Sequence, residues 1–301
     1  MLNHRYSVLS SIIDNTNEEG YIVADTVGVT NTLRFKHSKI VNLPGVDKPY
    51  GELIRGCLIA EQDKEEIFIG CDMSSLEDTT KQHYMYFFDP EYVDTLRTPG
   101  FDPHLDLAVM ANFLTEEQAQ AHKDKKENHH LVRQKAKKAN YSCVYGAGAP
   151  KISTSLGIPL QEAKDLHTAY WKRNKSVKQV AESCVTKTLS DGSKWLRNPI
   201  NGFWYSLRSD KDRFSTLNQG SGVACFDLFT REVYTRLKLV APEARIVMQM
   251  HDEILIRLPE RDKALVETSL DVAIKTVNDI VKLNVPLKIS YSAGYSYAEV
   301  H

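Results

Sequence analysis

Carboxylates stand at two places where strands would end. His251-Asp252-Glu253 separates two short apolar runs, Ile246-Val247-Met248 and Ile254-Leu255-Ile256. A turn between them would lift carboxylates to the tip of a β-hairpin, within reach of a hydrated divalent cation. A second strand-like run, Ile67-Phe68-Ile69-Gly70-Cys71, ends at Asp72. Arg133, Lys137 and Tyr141 recur every fourth residue, so at roughly 100° per residue they share one helix face. Two carboxylate-tipped strands beside a helix that offers positive charge and an aromatic ring suit a two-metal phosphoryl-transfer site.

Elements to position these groups can be read from the pattern. Val132, Ala136, Ala139 and Cys143 mark a buried stripe on the same helix, separate from the Arg133 face. The sequence turns helical from about Leu114 to Lys178, with Pro159 opening a helix that continues from Leu160 to Trp171. Val266, Leu270, Ile274, Val277 and Val281 line the core side of a last helix over Val266–Val281, and a strand from Leu287 to Ser292 closes the chain. The first 80 residues read as strand-rich, with turns at Asn42-Leu43-Pro44-Gly45 and Lys48-Pro49-Tyr50-Gly51. Strands at both ends around a helical block predict an α+β fold.

Composition excludes several classes. The 301 residues carry 38 basic and 39 acidic side chains, so a phosphate-binding surface must be local. Basic residues do cluster, between Lys123 and Lys138 and again from Lys172 to Lys178. Five scattered cysteines without a C-x-x-C spacing point to a reduced, intracellular setting and away from structural zinc. No apolar run approaches the roughly 18–20 residues of a membrane span, and the N-terminus lacks a secretory pattern.

Three spaced motifs then resemble family A DNA polymerases, the DNA polymerase I type, over nearly the whole chain, with bacteriophage members the most similar. Asp72-Met73-Ser74-Ser75-Leu76-Glu77 is similar to the first palm motif. Arg133, Lys137, Tyr141, Tyr145 and Gly146 are similar to the fingers motif R-x3-K-x3-(F/Y)-x3-Y-G, and Gln249-Met250-His251-Asp252-Glu253 to Q-x-H-D-E. Weaker matches fall in order around them: Thr32-Leu33-Arg34, Asn42-Leu43-Pro44, Asp102-Pro103-His104, Leu156-Gly157-Ile158 and Gln219-Gly220.

The resemblance implies a right-hand polymerase: a palm of antiparallel sheet with packed helices (1–80 and 205–301) and an inserted helical fingers subdomain (81–204). It implies template-directed addition of dNTPs to a primer 3′-hydroxyl. Asp72 and Asp252 would bridge two Mg²⁺ ions, for which Mn²⁺ can substitute; Met73 is counted with the metal site, and Glu253 has a supporting role. Arg133 and Lys137 would hold the triphosphate, with His104 assisting. Tyr141 would stack near the incoming sugar and base, a tyrosine that accompanies ready use of dideoxynucleotides. Glu77 would exclude a 2′-hydroxyl, while Arg34, Gln219, His251 and Tyr145 would meet the DNA. Minor-groove contact reads pairing and not sequence, which suits a polymerase.

Departures shape the remaining expectations. Thr79 and Ser215 stand where the family has arginine and asparagine, and Phe113–His130 is longer than the family pattern. The family's thumb and 3′–5′ exonuclease domain are expected to be absent. A second chain would then supply them, making this the catalytic part of a split polymerase, with an engineered fragment as the alternative. A cytoplasmic location is expected, in the host if phage-encoded. Rival readings are a single-subunit RNA polymerase, opposed by Glu77, and an inert DNA-binding subunit, opposed by intact Asp72, Asp252, Arg133, Lys137 and Tyr141.

Overall fold

A computed structural model describes residues 2–41 and 43–300; Asn42, in the expected P-N-L-like segment, lies outside the described residues. The chain opens with α1 (Leu2–Asn15), β1 (Thr26–Val29), β2 (Phe35–His37), α2 (Gly51–Gly56), β3 (Glu66–Met73) and α3 (Leu76–Met85). There follow α4 (Pro90–Arg97), α5 (Pro103–Met110), α6 (Glu116–Lys123), α7 (His130–Val144), α8 (Ala149–Leu156), α9 (Leu160–Arg173) and α10 (Lys175–Ser183). β4 (Thr186–Thr188), β5 (Lys194–Arg197), β6 (Trp204–Leu207) and α11 (Arg213–Val240) lead into β7 (Arg245–Met250), β8 (Glu253–Pro259), α12 (Lys263–Val281) and β9 (Ile289–Gly294).

These elements form two compact units: residues 1–80, 199–201 and 219–301, and residues 81–198 with 202–218. In the first, an antiparallel sheet runs in the order β7-β8-β3-β9. Period-two alternation sends Ile67, Ile69, Cys71 and Met73 of β3 and Ile254, Ile256 and Leu258 of β8 to one face. There they meet Phe226, Phe229 and Val233 of α11 and Val266, Leu270 and Val277 of α12. Phe68 and Leu255 point the other way, into a smaller core with Ile40, Met248, Tyr297 and Val300. Gly70 is required by a close approach, since a Cβ there would lie 2.6 Å from the Val300 carbonyl oxygen.

In the second unit α5, α7, α8 and α9 share a core of small and branched residues, including Leu105, Ala136, Ala139, Cys143, Ile152, Leu166 and Tyr170. Small residues on α7 let its neighbours approach closely and leave Arg133, Lys137 and Tyr141 on another face. The expected stripe is therefore present, with Val132 half-buried at its start.

Some expectations need correcting. Among the described residues of the first 80, the strands are β1, β2 and β3, beside the 14-residue helix α1, so this part is less strand-rich than the turn signals suggested. Leu2, Tyr6, Leu9 and Ile13 recur at helical spacing, and that periodicity prevails. The long Phe113–His130 stretch contains α6, within the region read as helical and started by a Thr115–Gln118 capping box. β9 begins at Ile289, two residues later than expected.

Phe229 is fully buried between α11 and the sheet. Phe229→Ala is expected to lower stability by about 3–5 kcal/mol, read as a shift of the urea midpoint at unchanged slope.

Candidate active site

In the first unit the β3–β8 register decides which acids meet. Asp72 lies opposite Glu253 on β8 and opposite Ser290 on β9. His251 and Asp252 form the two-residue connection between β7 and β8, and the Met73 N–H donates to the Asp252 carbonyl at 2.9 Å. Asp72 and Asp252 thus arrive from neighbouring strands at one end of the sheet. His251 takes a left-handed φ of 57°, a conformation that costs a non-glycine residue about 1–3 kcal/mol and clusters at functional sites. Ser75 does the same at φ 52°, turning the chain sharply from β3 into α3 and bringing Glu77 back.

Glu77 receives an ion pair from Arg34 at 3.4 Å. Burial raises the Asp252 carboxyl above its ordinary range, against the pull of Arg34 and His251 and with a further push from Glu77. Asp72, Asp252, Glu77, Arg34 and His251 are therefore brought together. Gln219 lies on α11 one turn before Val223, which lines a narrow cleft with Arg34, His37, Gln249 and His251.

Glu253 points away into the smaller core, where it is almost fully buried and accepts a hydrogen bond from the Tyr297 hydroxyl at 2.9 Å. The Arg55 guanidinium sits over the Tyr297 ring, 4.6 Å from its centroid, and its Nε donates to the Pro44 carbonyl at 2.7 Å. Burial first, then Glu253, raises the Tyr297 hydroxyl. Sequence reasoning missed Arg55 and Tyr297, because nothing in their spacing ties residues this distant to Glu253. It also missed His37, whose ring meets His251 edge-on at 6.3 Å and whose imidazole burial pushes down. Asp227, raised by burial while hydrogen-bonded to Gln249, was detectable, since it stands two helical turns after Gln219.

In the second unit Asp102 organises the other group. As N-cap of α5 its Oδ1 accepts from the backbone N–H groups of His104 and Leu105, while its Oδ2 holds Arg133 Nε at 2.6 Å. Burial pushes this carboxyl up, but Arg133 and the two N–H groups outweigh it and hold it below the ordinary range. Burial drives the His104 imidazole down to about 4 despite Asp102, with Arg133, Lys137 and Lys81 adding to the fall. Its ring lies 6.0 Å from that of Tyr141, which is 53% exposed. Asp102, His104, Arg133, Lys137 and Tyr141 thus form one cluster. Tyr145 is exposed at the C-cap of α7, where Gly146 adopts the left-handed conformation that ends helices.

No group of three or more His, Cys, Asp or Glu among the described residues forms a self-sufficient metal site. Mg²⁺ is usually held through one or two carboxylates plus substrate phosphates. Asp72 and Asp252 meet that donor set, and burial of Asp252 without enough neighbouring positive charge is an environment a divalent cation would relieve.

Residues 5–299 match DNA polymerase family A. DNA polymerase I of Helicobacter pylori is 27% identical over 87% of this chain, and that of Borreliella burgdorferi 24% identical over 92%. The chain spans 28% and 29% of those relatives' lengths. The thermostable DNA polymerase I of Thermus aquaticus is 24% identical over 89% of the chain and 31% of its own length. Among solved structures, the POL domain of Pol1 from M. smegmatis in complex with DNA primer-template and dNTP superposes with a TM-score of 0.77. That match has 19% identity and covers 99% of this chain and 52% of the other; this likeness establishes the fold.

His104 has a testable consequence. Its folded-state value of about 4 lies below the ordinary 6.5, so between those limits the unfolded chain binds more protons and stability must fall as pH drops. His104→Gln is expected to flatten part of that slope between pH 6.5 and 4 and leave stability above pH 7.5 nearly unchanged. Denaturant titrations across pH test this; an identical slope in both proteins would contradict it.

Proposed function

The chain belongs to DNA polymerase family A, and from that premise we propose that it catalyses template-directed DNA synthesis, adding dNTPs to a primer 3′-hydroxyl. The observation that carries this reading is the meeting of Asp72 and Asp252 at one end of the sheet, fastened by the Met73 N–H to Asp252 carbonyl bond.

Asp72 and Asp252, with Met73 alongside, would hold two Mg²⁺ ions or Mn²⁺ in their place; such ions, when bound, stabilise the attacking and leaving oxygens. Everything else falls to the chain's own side chains. Arg133 exchanges Asp102 for the nucleotide's phosphates, and its fork is kept aimed by that same carboxylate until then. Lys137 adds a point charge beside it. His104, neutral near pH 7, can donate to a phosphate oxygen without adding charge. The exposed Tyr141 ring stacks on the incoming nucleotide. Glu77, tethered by Arg34, fills the space under the sugar where a 2′-hydroxyl would fall. Arg34, Gln219, His251 and Tyr145 meet the primer-terminal pair, and Glu253 supports the Asp252 turn from within the core through Tyr297.

The partner chain remains part of the proposal on one observation. Tyr6 and Ile13 of α1 are 75% and 71% exposed, an apolar strip of the kind that meets protein, whereas Ile12 of the same helix is buried. Among the described residues no helix is long and apolar enough to cross a membrane.

Primer extension tests the reading. Asp72→Ala and Asp252→Ala are each expected to cost at least about 10³-fold in incorporation with the fold intact by circular dichroism, and extension within tenfold of the parent would refute the site. Glu253→Gln is expected to cost about 10–100-fold, as for groups that orient a metal ligand. Glu77→Ala should raise ribonucleotide use, and Tyr141→Phe should lower dideoxynucleotide termination; an unmoved discrimination ratio in either would remove that residue's role. Processive extension by the chain alone at physiological salt would remove the partner.

A further inference from the structure

The second unit carries a sheet that the catalytic reading leaves unused. β4, β5 and β6 pair antiparallel, with Lys187 opposite Trp195, Trp195 opposite Ser206 and Arg197 opposite Trp204. Leu196, Tyr205 and Leu207 are buried, at 0%, 2% and 4% exposure. Alternation then sends Lys187, Trp195, Arg197 and Trp204 to the opposite, outer face. The Lys187 ammonium confirms this arrangement by lying 4.1 Å from the centroid of the Trp204 ring. Trp195 is held by a bond from its Nε1 to Ser193 Oγ at 3.1 Å.

Charge selects the occupant. The three strands contain three cations and no Asp or Glu. Lys194, on the inner side of the register, is paired with Asp210, which leaves Lys187 and Arg197 as the charges of the outer face. Half-buried indoles alternating with cations on one sheet face match the requirements of unpaired nucleic acid, whose bases stack on rings while its phosphates take the cations. An apolar core explains none of this, because the core of this sheet lies on its other side. A lysine placed only to blunt the β4 edge leaves the two outward indoles unexplained.

We propose that the outer face of the β4–β5–β6 sheet is a binding platform for single-stranded DNA, with bases stacked on Trp195 and Trp204 and phosphates held by Lys187 and Arg197. In the polymerase reading, on which the identity of the strand rests, that strand is the unpaired template. Before DNA binds, Lys187 holds the Trp204 ring in place; when a base takes that ring, the ammonium moves to a phosphate.

The test uses a 12-nucleotide oligothymidylate and the whole chain, without dNTPs, by tryptophan fluorescence and anisotropy. Saturable quenching is expected, with Trp204→Leu weakening affinity about tenfold and Lys187→Ala with Arg197→Ala reducing the salt slope by about 1.4. Circular dichroism and thermal melting establish that the variants fold. Asp72→Ala, which removes synthesis, should bind the oligonucleotide like the parent, so a failure of the polymerase reading and of this one are distinguishable. Absence of quenching, parental affinity in the folded variants, or an equal loss of affinity for blunt duplex would each overturn the platform.

Discussion

The site depends on the antiparallel register of β3 against β8. With Asp72 opposite Glu253 and Met73 bonded to Asp252, every second residue of both strands enters the main core while Asp72 stays on the other face. A slip of one residue would reverse both assignments at once. It would expel Ile67, Ile69, Cys71 and Met73 from contact with α11 and α12 and turn Asp72 into apolar packing. The carboxylate pair is thus positioned by the burial of side chains that take no part in chemistry, which ties the location of the site to the stability of its unit.

Electrostatics divide the candidate residues into two kinds. Asp102 is held below the ordinary carboxylate range because Arg133 and two N–H groups overcome its burial. Asp252 is raised because burial overcomes Arg34 and His251. Asp102 already has its cation in Arg133. For Asp252 the neighbouring positive charge does not offset burial. Glu253 beside it is instead accepting from Tyr297 inside the smaller core, so two adjacent acids have different surroundings.

Much of the helical machinery was legible in the sequence because it is local. The small-residue stripe of α7 and the separate Arg133, Lys137 and Tyr141 face follow from the helical period, and Pro159 marks the start of α9. The hairpin tip was legible because two apolar runs flank a polar pair. Less legible were elements whose signals compete. The strand content of the first 80 residues was overread because the turn signals there flank only short strands, while α6 falls inside the Leu114–Lys178 stretch that reads as helical. Arg55 and Tyr297 were invisible, since their meeting with Glu253 joins three distant segments.

The sequence by itself determined the α+β class, the order of motifs and which residue types stand at strand ends and on one helix face, because alternation, helical period and turn chemistry act over a few residues. The tertiary structure alone decided which of those groups meet. It made Arg133 the partner of Asp102, buried Asp252 enough to shift its titration, and turned Glu253 toward Tyr297. It also set two indoles and two cations on the outer face of the β4–β6 sheet. Each of these follows from long-range pairing and desolvation, which depend on residues far apart in the chain.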